Sequence, residues 1–109
     1  MVKKSIVKVI KKYLRVVADQ GAPVKAGVLF GSYATGKPHK WSDIDLLVIS
    51  PQFDKKPKRK HIDLLWRVAA DVDSRIEPIA VGERQYKESD SSFIIEIARR
   101  EGHFISLAD

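Results

Sequence analysis

Two aspartates separated by one residue, Asp43-Ile44-Asp45, open an apolar run, and a Gly31-Ser32 pair closes another run ten intervening residues upstream. Side chains alternate along a strand, so Asp43 and Asp45 project from one face a few ångströms apart. Leu47 and Ile49 continue that face, and Ile44, Leu46 and Val48 take the other. Two like charges at the mouth of a buried strand repel unless a cation sits between them, and hard carboxylate oxygens favour Mg2+ or Mn2+. A glycine lets the backbone approach a ligand closely, and a serine opening a helical turn offers a hydroxyl and N–H groups to phosphate oxygens. Taken singly, each feature has a plain structural reading: a solvated strand end with Asp43 in a turn or bulge, and an N-cap serine. Their joint occurrence is what points to a phosphate-and-metal site.

The elements that must position these residues follow from periodicity. In residues 2–18, Ile6, Val9, Ile10, Tyr13, Leu14 and Val17 recur at steps of three and four opposite a stripe of Lys4, Lys8, Lys11 and Arg15. This is an amphipathic helix, stopped by Gly21 and Pro23. Residues 24–30 read as a first strand, 33–41 as a short helical turn running into a loop, and 44–49 as a strand buried on both faces and ended by Pro51. Residues 51–60 read as an exposed, flexible loop. A helix with Ile62, Leu65, Trp66, Ala69 and Val72 inward feeds a third strand over 75–81. Ser91 or Ser92 caps a last helix in which Phe93, Ile94, Ile97 and Ala98 face one way, and 104–107 form a terminal strand. The order is α-β-α-β-α-β-α-β, an α+β domain of sheet and helices in two or three layers.

Composition bounds the rest. The 109 residues carry 20 Lys and Arg against 14 Asp and Glu, a net charge of +6, and suit one domain over 1–109 with an anionic partner or substrate. With no cysteine, thiolate metal sites, disulfides and cysteine nucleophiles are excluded, and a reducing compartment, the cytoplasm, is the expectation. No apolar run is long enough to span a bilayer, and the N-terminal pattern is that of a helix broken by lysines, not of a signal peptide. His39, His61 and His103 lack ligand spacing and read as surface or packing residues.

The stretch Gly31-Ser32-Tyr33-Ala34-Thr35-Gly36 leading to Ser42-Asp43-Ile44-Asp45-Leu46-Leu47-Val48 closely resembles the signature of the minimal nucleotidyltransferases of the polymerase-beta superfamily. The likeness extends over essentially the whole chain and is strongest from Val28 to Ile49. The resemblance implies a mixed sheet flanked by helices, with the signature between the first two strands. It also implies two Mg2+ ions, Mn2+ being an alternative, held by Asp43, Asp45 and a third carboxylate on a later strand. Glu77 is the acidic residue inside the 75–81 run, on the face of Ile79 and Val81, with Asp73 in reserve. Pro78 beside it removes a ladder donor and places that strand at an edge or a kink. Relatives often carry arginine where this chain has Thr35, which leaves the phosphate cation to Lys37 or Lys40. Gly31, Ser32 and Lys37 are thus the expected nucleotide-phosphate contacts.

The activity implied is transfer of a nucleoside monophosphate, AMP from ATP, to a hydroxyl. Minimal proteins of this type are commonly paired with small helical ribonuclease toxins of the HEPN class. In such pairs the nucleotidyltransferase acts as antitoxin by adding AMP to a toxin tyrosine. The alternative is a non-catalytic module that neutralises its partner by contact. A third reading takes the run Lys55-Lys56-Pro57-Lys58-Arg59-Lys60 as a nucleic-acid contact, although no aromatic platform interleaves it. The basic stripe of the first helix reads as a solvated face. Trp41, next to the dyad, is placed either to stack on a base or under the loop, and Trp66 at a core position of its helix.

Overall fold

The computed structural model describes residues 2–38, 42–88 and 92–107. Its elements are α1 (Lys4–Asp19), β1 (Ala26–Phe30), β2 (Ile44–Ser50), a 3-10 turn (Pro51–Phe53), α2 (Arg59–Val72), β3 (Ile76–Gly82), α3 (Glu83–Glu88), α4 (Phe93–Glu101) and β4 (His103–Ser106). The strands form one sheet in the order β3-β2-β1-β4. β1 pairs antiparallel with both β2 and β4, while β2 and β3, joined through α2, run parallel. The sheet is therefore mixed, as expected.

β2 organises the layers because it is apolar on both faces. Ile44, Leu46 and Val48 join Leu29, Ile76 and Ile105 in a core with α1 and α2, and Leu47 and Ile49 join Val28 and Val81 in a second core under α4. The alternation read from the sequence holds on both sides of the sheet. α1 buries Ile6, Ile10, Tyr13, Leu14 and Val17, one stripe of a 3.6-residue helix. The buried Tyr13 hydroxyl donates to the Leu65 carbonyl at 2.9 Å, tying α1 to α2, and burial raises its pKa far above the ordinary tyrosine value.

Residues 32–36 form a single turn, as read, while His39, Lys40 and Trp41 lie outside the described residues, as does Ser91. Several expectations need correction. The 51–60 segment is shorter as a loop than expected: the Ser50 hydroxyl accepts from the Gln52 N–H at 3.2 Å, Phe53 is buried, and α2 already begins at Arg59. α2 buries Leu64, Leu65, Val68 and Ala69, leaving Trp66 49% exposed and Ile62 outside. Apolar residues flank the Leu65–Ala69 line on both sides, and packing beside Tyr13 selects the Leu64–Val68 side. In α4 the buried residues are Ile95 and Ala98, while Phe93 and Ile94 face outward. The cap on α4 is Ser92, whose hydroxyl accepts from the Ile95 N–H at 3.3 Å.

α3 has no counterpart in the sequence reading. Its first turn is held by Asp54, whose Oδ1 accepts from the N–H groups of Arg84 and Gln85 at 2.9 and 3.1 Å. A cap supplied from 30 residues away has no local signature.

Candidate active site

At the end of β1 the chain turns through Gly31 at φ +76, a conformation that glycine adopts without steric cost. The Ala34 and Thr35 N–H groups donate to the Gly31 carbonyl at 3.1 and 3.2 Å, and the Lys37 N–H donates to the Ser32 carbonyl at 3.0 Å. These bonds do not use the N–H groups of Ser32 and Tyr33. The Thr35 hydroxyl donates at 3.4 and 3.3 Å to the Gly31 and Ser32 carbonyls, so it serves the turn itself. A Cβ on Gly31 would collide with the Asp45 carboxylate. The glycine thus meets two requirements at once, the left-handed turn and the close approach of its backbone to an acid of the dyad.

The register then assembles the acids. Phe30, Asp45 and Glu77 are cross-strand partners on β1, β2 and β3, so Asp45 and Glu77 share the sheet face that α4 covers further along. Asp43 lies just before β2, and its charge reaches both. Burial first, and then Asp43, raises the Asp45 pKa. For Glu77 the causes are burial, then the charge of Asp43, a hydrogen bond with Asp43 and the charge of Asp45. Asp43, Asp45 and Glu77 thus interact at the start of the parallel pair β2 and β3. β3 is an edge strand, which accommodates Pro78 opposite Leu46.

Asp73 stands apart from this group. Its carboxylate grips Arg75 at 2.7 Å (Nη2 to Oδ2) and 3.0 Å (Nε to Oδ1) and also accepts the Arg75 N–H at 3.0 Å. The Arg75 side-chain bond holds its pKa below the ordinary carboxylate value. Arg75 is the residue that sequence reasoning missed. Its Nη1 donates to the Tyr33 hydroxyl at 3.1 Å, and its guanidinium lies 5.8 Å from the Tyr33 ring centre. Because the Arg75 carbonyl also accepts the Ile44 N–H at 2.8 Å, this residue links the Ser32 turn to the first residues of β2 and β3. No local pattern marks it, since its partners lie two and 42 residues away. Lys37 follows the turn with its side chain exposed.

The oxygen donors of Asp43, Asp45 and Glu77 suit a hard divalent cation, which would offset the carboxylate repulsion that adds to burial in raising the pKa values of Asp45 and Glu77. Among the described residues no three His, Cys, Asp or Glu side chains are gathered tightly enough to form a preformed metal shell. The donor set fits such an ion, because the exposed Glu77 carboxyl already hydrogen-bonds to Asp43 and lies in register with Asp45.

A four-stranded mixed sheet between helical layers, with a glycine-serine turn set against acids at one end, defines an α+β domain of the nucleotidyltransferase type. The nucleotidyltransferase domain family matches residues 10–102, and the chain belongs to that family. It is 35% identical over 66 residues to the bifunctional uridylyltransferase/uridylyl-removing enzyme of Stutzerimonas stutzeri (strain A1501), a match taking in 57% of this chain and 7% of that enzyme. The chain therefore spans only a small part of that relative's length. Among solved structures, a candidate nucleotidyltransferase from Sulfolobus solfataricus superposes with a TM-score of 0.63 at 18% identity, over 90% of this chain and 77% of that one. A toxin-antitoxin structure with AMP-PNP gives a TM-score of 0.59 at 19% identity, and a mutant of the toxin-antitoxin MntA-HpeT gives 0.56 at 18%. Each of these two covers 87% of this chain and 71% of its own. At such identities the likenesses establish the fold. Among the described residues no helix is long and apolar enough to cross a membrane.

Proposed function

We propose that this nucleotidyltransferase-family chain transfers a nucleoside monophosphate, AMP from ATP, to a hydroxyl. The acceptor we propose is a tyrosine of a partner toxin of the HEPN class, which the chain restrains as a cytoplasmic antitoxin. The observation that carries the transfer reading is the contact of the Gly31 backbone with Asp45, with Glu77 in register beside it. The toxin and the adenine nucleotide are supported by the toxin-antitoxin neighbours, one of which was solved with AMP-PNP, an analogue of ATP.

In this reading the Ser32 hydroxyl and the N–H groups of Ser32 and Tyr33 receive the β- and γ-phosphates, and Lys37 adds a cation beside them. Asp43, Asp45 and Glu77 would hold two Mg2+ ions. When bound, these supply charge stabilisation at the α-phosphate and lower the pKa of the acceptor hydroxyl. The acceptor hydroxyl releases its proton to solvent, its oxygen forms a bond to the α-phosphorus, the bond from that phosphorus to the bridging oxygen breaks, and pyrophosphate leaves. Arg75 acts as a positioning residue, fixing the phosphate turn relative to the strand that carries Glu77.

The test is incubation with α-labelled ATP, Mg2+ and the toxin encoded beside this chain, with α-labelled UTP as the nucleotide control. Wild type is compared with the Asp43→Asn/Asp45→Asn variant. Label is expected on the toxin with wild type and ATP only, falling to background in the variant. A tight complex that carries no label would support the alternative, a module that neutralises by contact alone.

A further inference from the structure

A second feature lies at the other end of β2, beyond Ser50. Residues 46–50 of β2 separate it from Asp45, a rise of about 20 Å along the strand. A cleft of about 790 Å³ opens there between the C-terminal end of α1, the 3-10 turn and the first half of α2. Five cations line it: Lys55, Lys56, Lys58, Lys60 and Arg67. The acid in its wall, Asp54, is committed to capping α3. None of the four lysines pairs with a carboxylate among the described residues, whereas Arg59, which is not part of the lining, pairs with Asp63 at 3.6 Å. Arg67 is fixed across the cleft by its bond to the Gln20 side chain at 3.2 Å.

Concentrating like charge in a concavity is unfavourable, and here the single carboxylate of Asp54 stands against five cations. The effect reaches His61 in the cleft wall. Its ring packs on Phe53 at 5.5 Å, its buried Nδ1 has no partner, and burial together with Lys60 and Lys58 lowers its pKa. The lining is rich in lysine, which acts as a flexible point charge, and holds a single arginine. That chemistry suits phosphates met as charges more than the planar, bidentate recognition of a carboxylate. No Phe, Tyr or Trp lines the cleft, so bases would have no platform on which to stack.

We propose that this cleft binds a run of phosphates, as found along the backbone of a single-stranded oligonucleotide or in free polyphosphate, at a site separate from the acids of the transfer site. Recognition is of charge and spacing, and is indifferent to base sequence.

The test measures binding of a fluorescent 20-nucleotide single-stranded RNA by anisotropy across NaCl concentrations, with inorganic polyphosphate as competitor. Wild type is compared with Lys56→Gln/Lys58→Gln/Lys60→Gln and with a charge-matched control, Lys4→Gln/Lys8→Gln/Lys12→Gln, on the exposed side of α1. Each lost phosphate contact removes about 0.7 from the slope of log affinity against log salt. The cleft variant should therefore lose about 2 from that slope and at least about 30-fold in affinity at about 50 mM NaCl, while the α1 control stays within about twofold. The cleft variant should also melt no lower than wild type, since it removes mutually repelling charges, so a folding defect would be visible as such. Competition by polyphosphate at equal phosphate concentration would identify phosphate itself as the ligand. Polyphosphate binding without RNA binding would assign the site to free polyphosphate. Equal losses in both variants, or no binding of either probe by wild type, would overturn the proposal.

Discussion

Replacing Gly31 with alanine separates two costs that the structure places on one atom. The backbone sits at φ +76, where a Cβ costs about 1–2 kcal/mol. The same Cβ meets the Asp45 carboxylate, an overpacking that costs about 1–3 kcal/mol more when the neighbour cannot move freely. Gly31→Ala should therefore destabilise the fold by about 2–5 kcal/mol, which in a domain of this size lowers Tm by at least about 8 °C. Shortening Asp45 removes the second cost and leaves the first. In an Asp45→Ala background, Gly31→Ala should cost only the 1–2 kcal/mol of backbone strain, giving a coupling of about 1–3 kcal/mol between the two sites. Urea denaturation of the four proteins, followed by circular dichroism, measures the cycle. Additivity within about 0.5 kcal/mol would refute the contact between the Gly31 turn and Asp45.

The acid cluster also sets a pH dependence. Asp45 and Glu77 have folded pKa values above their unfolded ones, so their contribution to stability is present below the unfolded value and is lost as pH rises through the folded one. Metal-free protein should lose stability with rising pH across the window just above the ordinary carboxyl range, and Mg2+ or Asp45→Asn should flatten that slope. Asp73, held low by Arg75, acts in the opposite sense and at more acid pH, so it does not mask the effect. Melting curves over this range test the sign: a slope that is unchanged by Mg2+ and by Asp45→Asn would contradict the assignment. On α2, Leu65→Ala should cost about 2–5 kcal/mol, whereas Trp66→Gln, at a half-exposed position, should stay within about 0.5 kcal/mol. Equal losses by chemical denaturation would mean that α2 buries the other side.

What was legible in the sequence is what local rules determine. The two-residue period of a strand put Asp43 and Asp45 on one side and set Leu47 and Ile49 against Ile44, Leu46 and Val48, and both cores follow that alternation. The glycine-serine pair marked the turn because few residue types accept that backbone. α1 was legible because its apolar stripe is single and narrow. α2 and α4 were legible as helices but not in the face they bury, because each carries apolar residues on more than one side and only the neighbouring layer decides which side is buried. The sequence reading put Glu77 ahead of Asp73, and the structure adds that Glu77 is in register with Asp45 while Asp73 is bonded to Arg75. Sequence thus determined the residues governed by spacing within one element: the dyad, the turn and the first helix. Tertiary structure alone decided what depends on partners tens of residues away: the register that sets Glu77 beside Asp45, the Asp54 cap on α3, the Arg75 link to Tyr33 and the basic cleft at the far end of β2. The physical reason is that backbone period and conformational preference act over a few residues, whereas register, capping across loops and the gathering of charge require the chain to have folded.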